Sequence, residues 1–184
     1  MIQLDIKIPL EPHTASRPRW TAKGDLTITR MPKGYREWRI QFNNWFVDYL
    51  QRTDDELLYY LTHLKDGRPI VNVWTTTNRK GEEVKHHKLI EDFCGYFVKI
   101  IFVIQRPSNT LRPYPLGGNT ADLDNYYKAV TDGIFSSEAG KMLKLNDRWI
   151  TESQQLKRYT LAGTNEQPHI DLTIKRIERG GVYT

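Results

Sequence analysis

Hydrophobic and polar positions alternate cleanly at the start of the chain. Ile2, Leu4, Ile6 and Ile8 interleave with Gln3, Asp5 and Lys7, the period-two signature of a half-buried strand, ended by Pro9. From Pro12 to Pro32 the pattern breaks into a long loop or loose hairpin, with a turn at Lys23-Gly24-Asp25 and a short β-like run Leu26-Thr27-Ile28-Thr29. Tyr35, Trp38, Phe42, Trp45, Phe46 and Tyr49 then recur at helical spacing, predicting a helix from about Gly34 to Gln51 whose aromatic stripe faces a core or a dimer surface. Thr53-Asp54-Asp55-Glu56 is a capping-box pattern opening a second helix, Leu57 to Lys65. Pro69 to Thr77 and a return run through Val84, joined at Lys80-Gly81, read as a hairpin, and Phe97 to Ile104 is apolar enough for a central strand. A Pro- and Gly-punctuated loop, Gln105 to Thr120, precedes another helical pattern in which Leu123, Tyr127, Val130 and Ile134 face a core. Two strands close the chain: Trp149 to Thr160, with only fair periodicity, and Pro168 to Ile177, with Ile170, Leu172 and Ile174 on one face; Gly180 to Thr184 reads as a frayed tail. This order predicts an α+β fold, a mixed β-sheet with helices packed mainly on one face.

Composition adds bounds. At 184 residues, with five Trp and ten Tyr, the chain can bury a real core as one domain over residues 1–178, with 179–184 as a flexible tail. The one cysteine, Cys94, has no internal disulfide partner and is expected to be a small buried residue beside Phe93. No basic and apolar leader and no long apolar run occurs, so the expectation is a cytoplasmic protein without a membrane span. The net charge of +5 is modest, but its placement is not: Arg17, Arg19, Lys23, Arg30, Lys33, Arg36 and Arg39 face only Asp25 and Glu37 within one segment. That clustering is the footprint of a polyanion binder, and arginines interleaved with Trp20 suit phosphates and unpaired bases. Adjacent His86 and His87 point apart in a strand and are read as surface or DNA-facing residues rather than a metal pair.

The chemistry concentrates at Asp122-Leu123-Asp124-Asn125-Tyr126-Tyr127-Lys128, entered through Gly117-Gly118-Asn119-Thr120. Residues i and i+2 diverge inside a helix but point the same way in extended chain. The two carboxylates can therefore converge only if Asp122 is an extended lead-in or cap and the helix begins near Asp124. Asp122 as N-cap and Asp124 as a first-turn acid is the plain alternative to a divalent-cation site. A third acid, Asp147, stands just before a strand-like run, where its side chain could point back at the helix start.

The ordered set D-x-D-N-x-x-K, A-x-x-D-G-I, N-D and a β-like run bearing a lysine resembles the RusA-like Holliday junction resolvases. The residues concerned are Asp122, Asp124, Asn125, Lys128, Asp132, Asp147 and Lys157, and the match covers roughly residues 122–158. Three departures stand out: Ala121 in place of a basic residue before the first Asp, a longer Ser136 to Leu145 segment, and residues 53–92 as an insertion relative to the shortest members. The resemblance implies a homodimeric, Mg²⁺-dependent endonuclease, with Mn²⁺ a possible substitute. Its substrate would be branched DNA, cut by paired symmetric nicks in recombination or repair in a bacterial or phage setting. It implies Asp122, Asp124 and Asp147 as metal carboxylates and Lys128 as a stabiliser of transition-state charge, with the basic segment on DNA. Asn125 could orient a ligand or cap the helix, and Asp132 is read as structural, bonding to a neighbouring loop. The rival reading is a non-catalytic junction-binding module. A metal-binding D-x-D of a nucleotide-sugar glycosyltransferase suits neither the short chain nor the clustered basic charge.

Overall fold

The computed structural model describes residues 3–16, 19–23, 26–53, 59–116, 121–137, 140–141 and 145–180, with backbone alone for 19–23 and 26–30. The predicted capping acids at 54–56, the Gly-rich entry at 117–120 and the tail end at 181–184 lie outside the described residues. The elements are β1 (Gln3–Ile8), β2 (Arg19–Lys23), β3 (Leu26–Arg30), α1 (Lys33–Arg52), β4 (Val71–Thr77), β5 (Glu83–Leu89), β6 (Phe93–Ile104), α2 (Leu123–Phe135), a 3-10 turn (Asp147–Trp149), β7 (Ile150–Tyr159) and β8 (His169–Glu178). Residues 59–62 are helical as well, but the expected helix to Lys65 stops early, where His63 bridges to Pro69.

The main sheet has the order β1-β8-β6-β7. β1 and β6 run antiparallel to β8, whereas β7 runs parallel to β6, so the fold is α+β with a mixed sheet. The parallel pair forces a crossover, and α2 supplies it. Alternation along β6 sends Val98, Ile100 and Phe102 to one face, joined there by Ile6 and Ile8 of β1 and by Ile170, Leu172 and Ile174 of β8. Both helices press on this face. Tyr35, Trp38, Phe42 and Phe46 of α1, and Ala129, Val130 and Ile134 of α2, complete the core. Trp45 and Tyr49, the other aromatics of the stripe, are half-buried against it.

Gly133 is where the helices meet. A Cβ there would stand 2.7 Å from the Phe42 ring, so the absent side chain is what lets α1 approach α2. Cys94 contradicts its expectation: it is exposed. The β6–β8 register shifts between Phe93 and Gly95, and this irregularity keeps Phe93 and Tyr96 inside while turning Cys94 out. The Pro12–Pro32 stretch is more ordered than a loop, because β2 and β3 pair antiparallel from Arg19↔Arg30 to Lys23↔Leu26. No described helix is long and apolar enough to cross a membrane.

Candidate functional site

α2 begins as the acid spacing requires. Asp122 is the N-cap, extended at φ −65° and ψ 151°, and the helix proper starts at Leu123. Its carboxylate makes no capping hydrogen bond, contrary to the simple N-cap expectation. Instead the backbone carbonyl of Asp122 accepts from the Asn125 N–H at 3.2 Å. Both Asp122 and Asp124 are exposed, so two carboxylates stand at the positive end of the helix dipole with their oxygens open to solvent.

Two other segments converge on this helix start. The Lys157 ammonium donates to the Ala121 carbonyl at 2.9 Å, which fixes a cation beside the residue preceding Asp122. The Ala15 N–H donates to the Asn125 carbonyl at 2.8 Å, docking the lead into β2 on the first turn of α2. Four residues of chain span at most about 14 Å, so Arg19 lies within that reach of the acids' helix turn. The basic hairpin thus springs from the acid end of the molecule. Its backbone register sets Arg19 opposite Arg30. Arg17 lies outside the described residues, as do the side chains of Arg19, Lys23 and Arg30.

Asp147 stands just before β7, as its sequence position implies. It opens the 3-10 turn before β7, capped by the Asn146 carboxamide oxygen, which accepts from the Arg148 N–H at 3.0 Å. It shares a cleft with Tyr127 and Thr131 of α2. The reason is topological. β7 runs parallel to β6 and hence opposite to α2, so the start of the strand faces the later turns of the helix while Lys157, near its end, faces the helix start. Asp124, Tyr127 and Thr131 still fall on one side of α2, at i, i+3 and i+7. Asp147 is therefore on the same side of the helix as Asp124, about one to two turns along it, at roughly 5.4 Å per turn. Among the described residues, no three His, Cys, Asp or Glu side chains are grouped to hold a metal ion.

Between α2 and β7 runs a polar cleft of about 310 Å³, lined by Tyr127, Thr131, Asp147 and Ser153 among others. The register places Ser153, Gln155 and Lys157 beside Val98, Ile100 and Phe102, on the helix-facing side of the sheet. An edge strand with a polar row toward its helix builds a wall for a cleft rather than a core. Burial pushes the Tyr127 hydroxyl above its ordinary pKa; the Ser153 hydrogen bond opposes this and the nearby Asp147 charge adds to it. Tyr127 packs against the core, as its spacing predicts, and lines the cleft as well, whereas Ser153 is a cleft residue that the sequence reading does not single out. The weak periodicity of residues 149–160 is the available signal for Ser153.

The remaining candidates are committed otherwise. Lys128 pairs with Asp132 at 3.2 Å, one turn on, and Asp132 lies near the Tyr35 hydroxyl of α1 at 3.5 Å rather than bonding a loop. Burial, then the Asp132 charge, pushes the Tyr35 hydroxyl up to about 12. Lys33 pairs with Glu37 at 3.7 Å. Arg36 and Arg39 open into a second cleft of about 350 Å³ with Lys141 and Asn43, beside Gly133 and Ser136. That cleft lies at the far end of α2 from the acids, roughly 21 Å away at 1.5 Å per residue from Asp122 to Ser136. The basic segment of the sequence is thus divided between the two ends of one helix.

What fold and site define is an α+β protein with a mixed sheet and an exposed acid pair at the head of its crossover helix. Comparison with family models, with curated proteins and with solved structures finds no match.

Proposed function

We propose that the chain is a Mg²⁺-dependent endonuclease of RusA-like type that cuts branched DNA, working as a homodimer on the two strands of a four-way junction. One observation carries the reading: Asp122 is extended and its carboxylate makes no cap bond, Asp124 follows in the first turn, and on this helix start converge the Lys157 ammonium, bonded to the Ala121 carbonyl, and the lead into the basic hairpin, bonded to the Asn125 carbonyl. A pure cap would occupy the Asp122 carboxylate. Two exposed carboxylates with no partner among the described residues, near the anchored Lys157 ammonium, suit an ion that must also meet phosphate.

Asp122 and Asp124 fit Mg²⁺, which takes one or two carboxylates and completes its shell with water and phosphate oxygens. The bound ion would supply Lewis acidity toward the scissile phosphate. The chain's own residues do the rest. Lys157, held on the Ala121 carbonyl, keeps positive charge where the phosphate would carry excess negative charge. Lys128, whose side chain is 65% exposed, can leave Asp132 for a nearby phosphate at small cost, because exposed pairs contribute little.

The position of Asp147 favours a second reading, a junction-binding module without catalysis, since Asp147 is set along the helix rather than at its head. One assay separates the two. The protein is incubated with synthetic four-way junction, duplex and single strands, with and without Mg²⁺. The nuclease reading expects nicking of the junction only with Mg²⁺. Binding without nicking under any divalent cation supports the module, and neither binding nor nicking sinks both.

A second expectation concerns Lys157 itself. Lys157→Met removes the charge and the bond to Ala121 and is expected to slow single-turnover cleavage about 10- to 100-fold, the scale seen when groups that orient a metal site are lost. Its melting temperature should fall only modestly, by an amount equivalent to about 1 kcal/mol. A variant that cleaves at the wild-type rate would remove Lys157 from the mechanism.

A further inference from the structure

The segment that resembles an insertion contains an ordered device. β4 and β5 form a two-stranded ribbon paired from Val71↔Leu89 to Thr77↔Glu83, about 23 Å long at 3.3 Å per residue. At its root, Ile70 is buried in the core and its carbonyl accepts from the Ile90 N–H at 3.1 Å. Beyond the root, nearly every residue of both faces is exposed, including Val73 and Trp74, each at 45%. The tip is closed by Asn78, whose side-chain oxygen accepts from the N–H groups of Lys80 and Glu82, with Gly81 at φ +82°. A bare two-stranded ribbon is marginal in water, so such an ordered one exposed on both sides calls for a reason.

Its two faces differ. Paired residues of an antiparallel ribbon share a face, so Asn72, Trp74, Thr76, Val84, His86 and Lys88 lie together. None of these six is an acid; at the root, Asn72 and Lys88 share a cleft with Glu91 and with Asp92, which is paired to Arg68 at 2.7 Å. Trp74 stacks on His86 with ring centres 5.4 Å apart, and His86 shares a hydrogen bond with the Thr76 hydroxyl at 2.7 Å, so the exposed indole is held in one orientation. Lys88 flanks the stack, and Arg79 and Lys80 stand at the tip. Of the two ribbon acids, Glu82 accepts from the Asn78 amide at 2.8 Å within the turn, and Glu83 lies on the opposite face.

We propose that the Trp74 face of this ribbon is a second nucleic-acid contact, which lies along a duplex arm of the substrate outside the cleavage site. Charge complementarity selects the occupant: the paired rows carry Lys88 and a fixed aromatic and no acid, Arg79 and Lys80 stand at the tip, and the carboxylates nearest the rows are engaged by Asn78 (Glu82) and Arg68 (Asp92), which suits a phosphate-lined groove. Two strands about 4.8 Å apart fit a major groove about 12 Å wide. The ribbon thereby extends the footprint from the acid-bearing helix onto an arm of the DNA. The inference rests on the reading of the chain as a DNA-acting protein.

The test uses the full chain in EDTA and a fluorescein-labelled four-way junction, with affinity read by anisotropy over a series of salt concentrations. Trp74→Ala is expected to weaken binding about 10- to 100-fold, the scale for losing a large apolar side chain buried on contact. Lys88→Ala should lower the slope of log affinity against log salt by about 0.9, one phosphate contact. Thr75→Ala, on the opposite face, should stay within about twofold of wild type, and matching melting temperatures would show that all three variants fold. If wild type binds while Trp74→Ala and Lys88→Ala bind no worse than Thr75→Ala, the ribbon proposal is overturned and the nuclease reading stands, the Trp74 face being left to a protein or a second copy. If wild type itself binds no nucleic acid, both fall together.

Discussion

Asp122→Asn and Asp124→Asn each reduce Mg²⁺-dependent junction cleavage by about a hundredfold or more while leaving junction affinity near wild type. The size follows from what an amide removes. It keeps the shape of the carboxylate but loses the charge that holds the ion, so the loss falls on an interaction made in the transition state. Binding survives because it rests on the basic hairpin and on cations elsewhere, not on acids that repel phosphate. Neither substitution disturbs the fold, since both side chains are exposed and Asp122 makes no side-chain cap bond. Asp147→Asn is the informative third. On the three-acid assignment it matches the other two. If it cleaves near the wild-type rate, Asp147 belongs to the Tyr127–Ser153 wall alone and the ion rests on two carboxylates. If Asp122→Asn or Asp124→Asn cleaves near wild type, that residue is a first-turn acid and nothing more.

Phe42→Ala carries the largest expected loss of stability. Phe42 is fully buried, packs on Trp38 and Phe46 of its own helix, and fills the space left by Gly133 of α2. Truncation leaves a cavity where the two helices approach closely and costs about 3–5 kcal/mol. Urea unfolding monitored by tryptophan fluorescence measures it. Adding Gly133→Ala to that variant should restore part of the loss, because the new methyl enters the vacated space. The same Gly133→Ala change in wild type should destabilise by about 1–3 kcal/mol through overpacking. Equal effects of Gly133→Ala in both backgrounds would deny that Phe42 and Gly133 form one contact.

Much of this architecture is legible in the chain because burial is one-sided. Where one face of an element meets the core, the period survives: Ile6 and Ile8, the α1 aromatics, and Ile170, Leu172 and Ile174 all fall where alternation or helical spacing sets them. The acid pair was legible for a similar reason, since only an extended residue before a helix lets i and i+2 converge, and Asp122 has that backbone. Long-range geometry was not. Nothing local tells that β7 runs parallel to β6, yet that single fact moves Asp147 toward Thr131 and brings Lys157 to the helix start. The same strand has polar residues on both faces, so its periodicity is weak because it lines a cleft. Cys94 failed through a register shift that a period-two reading has no means to register.

The most direct measurement is anomalous scattering from Mn²⁺ in crystals of the protein bound to a four-way junction. The account predicts a peak within coordination distance of carboxylate oxygens of both Asp122 and Asp124, next to a DNA phosphate and on the side of the Lys157 ammonium. A metal bound elsewhere, with those two carboxylates turned to bulk solvent, would contradict it.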